Sequence, residues 1–342
     1  MKTLFFDKIT ETALDFCGKL IREGELVAFP TETVYGLGAD ATNTDAVCKI
    51  YEAKGREGDN PLIVHFADPA DIEVYASIPD KALFEKLSAA FMPGPLTVVL
   101  PRKDALSPRV SAGLSTVAVR VPSHEGARAF IRAARRPIAA PSANRSHRPS
   151  PTAASHVVED MDGKIAAILD GGTCEHGVES TVLLLSDTLR LLRPGAVTRE
   201  MIEEVTGREV LVDAGVLSRV EDVRRVASPG MKYRHYAPQA PLSAVVGEDE
   251  RVRAFFAKAQ SEGAGILCYE EDLEYLAKNE RTMSLGSAED YAAQAETLFC
   301  ALRTFDKRRV ERIYTRLPKE EGVGLAVKNR LLRACEFDII EV

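Results

Sequence analysis

The sequence predicts an α/β fold of α+β-like order, with a mixed sheet in the longer first part and a smaller parallel βαβ unit behind it. Three observations carry that prediction. Amphipathic stretches at helical spacing recur along the chain, short apolar strand-like runs sit between them and sometimes follow one another directly, and from residue 242 strands and helices alternate. At about 150 residues per domain, 342 residues make roughly two domains. With 45% hydrophobic and 28% charged residues the composition is that of a soluble globular protein. Collagen-like, disordered and disulfide-scaffold classes are excluded.

Residues 10–23 put Ala13, Leu14, Phe16, Cys17, Leu20 and Ile21 on one helical stripe, with Thr10 as N-cap. Leu26 to Phe29 reads as a short buried strand stopped by Pro30, and a second helix over about 44–53 ends near Gly55. Strands follow at 62–66, 96–100, 117–121, 137–140, 165–169, 181–185 and 189–192, with helices at about 80–91, 124–134, 151–160 and 198–206. Strands in direct succession favour a mixed sheet over a regular doubly wound one. The organisation read from this is a first domain over 1–207, a linker over 208–241 with little periodicity, and a C-terminal domain over 242–342. A structureless stretch of that length is unusual inside a compact domain, which points to a link between domains. The tail runs strand 243–246, helix 249–261, strand 265–269, helix, strand, helix 287–304, strand 311–315 and helix 323–336, a parallel Rossmann-like unit.

Forty-four basic against 51 acidic residues leave a net charge of −7, unlike a protein whose main task is gripping nucleic acid. The six cysteines (17, 48, 174, 268, 300 and 335) form no CxxC pair, and the six histidines show no HxxH or HExxH spacing, so no protein-held metal is expected. Asp7 interrupts the N-terminus before a signal-peptide apolar core can form, and no apolar run approaches a membrane span. The expected location is the cytoplasm.

Two familiar nucleotide signatures are missing: there is no GxxxxGK[ST], and Gly36-Leu-Gly38 lacks the third glycine of a dinucleotide fingerprint. A bound nucleotide would have to be held by cationic side chains and open backbone amides. Between Arg102 and Arg148 ten basic residues face only Asp104 and Glu125, a local +8 in an acidic chain. The part from Arg128 to Arg136 fits a solvated helix face. Arg120 does not: it lies in the apolar alternation Val117-Ala-Val-Arg-Val121, where a charge needs an anionic partner, either a protein carboxylate or a ligand's. Phe29 to Gly38 puts hydroxyls and glycines directly after a buried strand, Lys54-Gly-Arg56 sets two cations at a helix end, and Ala139 to Asn144 follows another strand with a bare hydroxyl and an amide. Together these are strand-end loops rich in phosphate and carboxylate binders. A helix C-terminus favours cations by itself, so the Lys54-Arg56 pair also has a purely structural reading.

In this order FPTETVYGLG at 29–38, Lys54-x-Arg56, Ser142-x-Asn144, GVESTV at 177–182 and LRPG at 192–195 resemble the signature set of the YrdC-type threonylcarbamoyl-AMP synthases, over about residues 8–207. PGMKYRHYAP at 229–238 and the βαβ tail resemble the long, two-domain form of that family. The resemblance implies a twisted mixed sheet around a deep, positively charged cavity with the linker lying over it. It also implies a reaction in which L-threonine, bicarbonate and ATP give threonylcarbamoyl-adenylate and pyrophosphate, which makes the chain a nucleotidyltransferase. The adenylate would pass to a downstream threonylcarbamoyl-transferase complex that modifies adenosine 37 of tRNA, so tRNA is an indirect partner and no membrane is involved.

By the same resemblance Lys54, Arg56, Ser142, Asn144, Ser150, Arg193 and Tyr236 should hold ATP, Asn60 and Thr116 should add hydrogen bonds, and Lys54 and Arg56 form the catalytic pair. Arg120 suits the threonine carboxylate, with Thr33, His65, the Ala140 carbonyl and Ser180 around the rest. Magnesium would ride on the phosphates with few protein ligands. Two anions must approach each other, so positioning and charge neutralisation are the expected means of catalysis. His65 reads equally as a general base or as a packed strand histidine, and Tyr233, His235 and Tyr236 as a clamp over the cavity mouth. A non-catalytic RNA-binding or ribosome-maturation module is disfavoured by the acidic total, and a carbamoyl-transfer enzyme of the hydrogenase-maturation kind by the lack of cysteine pairs.

Overall fold

Polar caps fix where the helices begin. In the computed structural model, which describes residues 2–218, 235–308 and 310–342, the Thr10 hydroxyl accepts the Ala13 amide, Asn43 accepts Asp45 and Ala46, and Asp80 accepts Leu83. Apolar positions three and four apart then turn one face of each helix inward.

The first unit runs β1 (Leu4–Phe6), α1 (Glu11–Arg22), β2 (Val27–Phe29), β3 (Gly36–Asp40), α2 (Thr44–Lys54), β4 (Ile63–His65), α3 (Ile72–Tyr75), α4 (Lys81–Phe91), β5 (Leu96–Pro101), β6 (Thr116–Arg120), α5 (Glu125–Ala134), β7 (Ile138–Ala140), α6 (Ala154–Met161), β8 (Ala167–Leu169), β9 (Thr181–Leu184), β10 (Leu189–Arg193), α7 (Arg199–Thr206) and β11 (Val210–Val212). The second runs β12 (Leu242–Val246), α8 (Asp249–Ser261), β13 (Gly265–Cys268), β14 (Thr282–Ser284), α9 (Tyr291–Arg308), β15 (Ile313–Thr315), α10 (Gly324–Ala334) and β16 (Ile339–Glu341).

Among the described residues eleven strands form one mixed sheet in the order β1-β8-β2-β3-β7-β4-β6-β5-β9-β10-β11, and five form a second in the order β14-β13-β15-β12-β16. Every pairing in the second sheet is parallel, as its alternating pattern predicts. The helix expected between β13 and β14 is a 3-10 segment, Glu270–Tyr275.

Four strands have no counterpart in the sequence reading. β1 and β16 are three-residue strands whose apolar positions are partly exposed, too short to show a period. β11 pairs in parallel with β10, so the first sheet continues past Gly207 into the segment read as linker. β3 contains two glycines, which weaken a strand signal. They are there because β3 passes under an aromatic ring: a Cβ on Gly36 would lie 2.9 Å from two ring atoms of Phe29. The second unit docks on the first through α9 and α10, where Arg303 donates to Pro149 O at 2.6 Å and Asp160 at 2.7 Å, and Asn329 donates to Val216 O at 2.6 Å.

Candidate functional site

A single cross-strand row builds the floor of the site. His65 on β4 stands in register with Arg120 on β6, Arg120 with Thr97 on β5, Thr97 with Val182 on β9, and Val182 with Arg193 on β10. Residues opposite one another in a sheet share a face, so two arginines and a histidine from distant sequence face one side. Above them lies a cleft that encloses about 590 Å³ of empty space, counted out to its open, solvent-filled mouth. Its wall includes Arg56, His65, Arg120, Ala140, Ser142, Ser180, Arg193 and Tyr236, all singled out in the sequence.

Other expected residues stand behind that wall. The Lys54 ammonium donates to Ser142 O at 2.5 Å and to Asn144 O, so it ties down the 142–144 loop. Burial, and then the neighbouring Arg56, push its pKa well below the ordinary lysine value. Ser142 Oγ donates to Asn144 Oδ1 at 2.5 Å, and Asn144 Nδ2 closes the loop on Arg145 O and Arg148 O. Ser150 donates to Glu179. Thr33 Oγ1 lies 2.9 Å from Thr31 Oγ1, and it is Thr31 that faces the cleft. Asn60 accepts Arg56 Nε at 3.3 Å through its carbonyl and keeps its own Nδ2 buried without a hydrogen-bond partner among the described residues. Thr116 is half-buried at the far end of β6 and outside the wall. Tyr233 lies outside the described residues.

Arg120 has a protein partner. Glu32, from the Phe29–Gly38 run, places Oε1 2.7 Å from Arg120 Nη2, and both side chains are buried. Burial pushes the Glu32 carboxyl up, but the charge of Arg120 and the hydrogen bonds to Arg120 and to backbone together outweigh it, and the pKa falls below the ordinary value. Arg120 itself lines the cleft. Of the ten basic residues between 102 and 148, Arg120 alone is in the cleft wall. Others pair elsewhere, Arg136 with Asp40 and Arg148 with Asp160 and Asp306.

Arg193 is held by Ser180, donating to its carbonyl at 3.0 Å and its hydroxyl at 3.2 Å, and that hydroxyl meets Thr97 Oγ1 at 2.8 Å. The two loops that carry these residues touch through Gly195, where a Cβ would meet the Thr181 amide nitrogen at 2.4 Å. Burial lowers the Arg193 pKa to about 10, which leaves the side chain cationic. Burial and the nearby Arg120 lower that of His65 to about 3, so the imidazole is neutral, and its buried Nδ1 has no hydrogen-bond partner among the described residues. A group that weakly basic offers a hydrogen bond and takes no proton from an ammonium.

Sequence reasoning missed Thr31, Tyr35, Pro61, Ile63 and Glu179 in the wall. Glu179 lies inside the GVESTV run, where its charge was the available signal. At the mouth, His235 and Tyr236 join the wall, and Tyr236 adopts a left-handed backbone with φ 64° while its ring stacks on Phe299 of α9 at 5.2 Å. A bulky residue in that conformation is held there by its surroundings.

Convergent cations and open strand-end loops define a cationic α/β cleft suited to anionic ligands. The family model described as telomere recombination (Sua5, YciO, YrdC) matches residues 19–195, and that of the threonylcarbamoyl-AMP synthase C-terminal domain matches 197–335. The chain is 51% identical over 326 residues to the threonylcarbamoyl-AMP synthase of Bacillus subtilis, covering 94% of this chain and 92% of that one. With that of Pyrococcus abyssi it shares 45% over 347 residues, covering 98% of each. A crystal structure of P. abyssi Sua5 complexed with L-threonine superposes with a TM-score of 0.90 at 43% identity, over 100% of this chain and 99% of that one. This chain belongs to the Sua5–YrdC family, in its two-domain, threonylcarbamoyl-AMP synthase form.

Proposed function

We propose that this chain joins L-threonine, bicarbonate and ATP into L-threonylcarbamoyl-adenylate and pyrophosphate, as a nucleotidyltransferase. The observation that carries the reading is the convergence of Arg56, Arg120 and Arg193, from separate parts of the first 200 residues, in one cleft wall. The likeness over nearly the whole chain to threonylcarbamoyl-AMP synthases supports it.

In the reaction the threonine amine and bicarbonate form a carbamate with loss of water. A carbamate oxygen then bonds to the α-phosphorus of ATP, the bond from that phosphorus to the β-bridging oxygen breaks, and pyrophosphate leaves with the electron pair. Attacker and target are both anionic, so the protein's task is to neutralise and align. Arg56 and Arg193 take the nucleotide side, with Ser142 in the wall and the Asn60 carbonyl holding Arg56, while Thr116, at the far end of β6, stands apart from them. Lys54, Asn144 and Ser150 hold the loops that carry those groups, and Tyr236 closes the mouth. Arg120 supplies the positive charge that meets the threonine carboxylate. Thr33 (through Thr31), Ser180, the Ala140 carbonyl and the neutral His65 arrange hydrogen bonds to the hydroxyl and amine.

Among the described residues no three His, Cys, Asp or Glu side chains gather as a cation cage, and the buried carboxylates Glu32 and Glu179 each face an arginine. That fits magnesium brought in on the triphosphate, where it supplies further charge neutralisation. No helix among the described residues is long and apolar enough to cross a membrane. With six free cysteines, we place the reaction in the cytoplasm, feeding a threonylcarbamoyl-transferase complex and, through it, tRNA. The test is pyrophosphate release from ATP that requires both threonine and bicarbonate. Valine should be rejected strongly, since it strands the groups that meet the hydroxyl, and serine by about 1–3 kcal/mol. Release that ignores threonine would refute the reading.

A further inference from the structure

Among the described residues the two largest fully buried side chains are arginines of the second unit, Arg303 and Arg330. Both enter the first unit beside Ser150. Arg303 grips Pro149 O, as described above. Arg330, on α10, does not line the cleft, yet it touches three pieces of it. Its Nε donates to Glu179 Oε2 at 2.8 Å, its Nη2 to Glu179 O at 3.2 Å and its Nη1 to Pro194 O at 2.9 Å, and its guanidinium lies 5.7 Å from the Tyr236 ring centre. Glu179 accepts Ser150 with its other oxygen and faces the cleft.

A carboxylate in the wall of a site that must admit a triphosphate is a liability, because like charges in a poorly hydrated cleft repel strongly. The nearby cation inside the first unit, Arg193, is turned to Ser180. We propose that Arg330 is a positioning residue through which the C-terminal unit prepares the nucleotide half of the cleft, by neutralising Glu179 and so leaving Arg193 to the incoming phosphates. This rests on the reading of the cleft as an ATP site, and it gives the second unit a direct part in synthesis. Without Arg330, Glu179 is left as an uncompensated buried charge and competes with the incoming phosphates for Arg193.

The test uses the full-length protein and follows threonine-dependent pyrophosphate release. Arg330→Met should raise KM for ATP by about ten- to hundredfold and leave KM for threonine within about threefold of wild type. Adding Glu179→Gln to Arg330→Met removes the stranded charge and should recover most of the lost ATP affinity, a rescue that a merely architectural role for Arg330 would not give. An unchanged KM for ATP in Arg330→Met, or a double variant as poor as the single one, would overturn the proposal. Should Arg330→Met not fold, the comparison is between Glu179→Gln and the double variant. With Glu179 uncharged, losing Arg330 should change KM for ATP less than about threefold, and a larger loss overturns the proposal. Wild-type turnover run alongside separates the levels: if wild type releases no pyrophosphate from ATP, the ATP-site reading falls and the role of Arg330 with it.

Discussion

Replacing Arg120 by methionine tests the buried pair at the centre of the sheet. Arg120 and Glu32 are each 3% exposed and their charges lie 2.7 Å apart. Removing one partner of such a pair leaves a buried charge uncompensated, at a cost of about 3–5 kcal/mol. For a unit of this size that is a fall of roughly 6–20 °C in melting temperature. The pH dependence should invert as well. In wild type the folded Glu32 pKa lies below its ordinary value, so its contribution is present above the unfolded carboxylate range, near about 4.3, and is lost as pH falls through the lowered folded value. In Arg120→Met the charge and hydrogen bond of Arg120 are gone, and burial, the largest influence on Glu32, prevails over the backbone hydrogen bonds that remain. Its folded pKa then rises above the unfolded one, and stability is lost as pH climbs through that raised value. The deficit relative to wild type should therefore be large at pH 7 and shrink toward pH 4. Urea titration followed by far-UV circular dichroism suits a chain without tryptophan. Adding Glu32→Gln to Arg120→Met should restore most of the stability but not threonine turnover. A single variant as stable as wild type at pH 7, or a deficit that does not change with pH, would refute the reasoning.

Two further outcomes follow from the same geometry. His65→Gln should weaken threonine binding without altering the pH profile of turnover above pH 5, because the histidine is neutral there with a pKa near 3; loss of a rate limb near neutral pH in that variant would show His65 to be a base. Since the unfolded imidazole takes up a proton near its usual value of about 6.5 while the folded one does not, His65→Gln should also flatten the loss of stability between that pH and acid. Gly36→Ala should destabilise the first unit by about 1–3 kcal/mol through overpacking, given the 2.9 Å approach to the Phe29 ring, and equilibrium unfolding would measure it.

Much of the fold is legible where one period dominates. The stripe of α1, the caps at Thr10 and Gly55 and the alternation of the tail are local facts, and the structure reproduces them. The strand β3 is not local: its glycines make sense only once Phe29 lies across them. The cleft divides in the same way. Arg120 advertises itself as a charge in an apolar strand, but its partner Glu32 is invisible until β2, β3 and β6 come together. A charge in that strand could be answered by a protein or a ligand carboxylate, and the structure shows the protein one. Lys54 and Ser150, adjacent in motif space to the groups lining the cleft, lie one layer back, since a loop that presents one side chain needs another to anchor it. Arg330 gave no signal, because an arginine in an amphipathic tail helix looks like any solvated charge until the two units are docked.

The account turns on a carbamate meeting ATP in a cleft lined by Arg56, Arg120 and Arg193. The most direct measurement is carbon-13 NMR of the full-length protein turning over labelled bicarbonate with threonine and ATP. A new carbonyl signal that appears with wild type, requires threonine and is lost in Arg56→Ala, with matching release of pyrophosphate, is the result expected. Pyrophosphate released with no label entering a threonine-bound carbonyl, or undiminished product in Arg56→Ala, would contradict it.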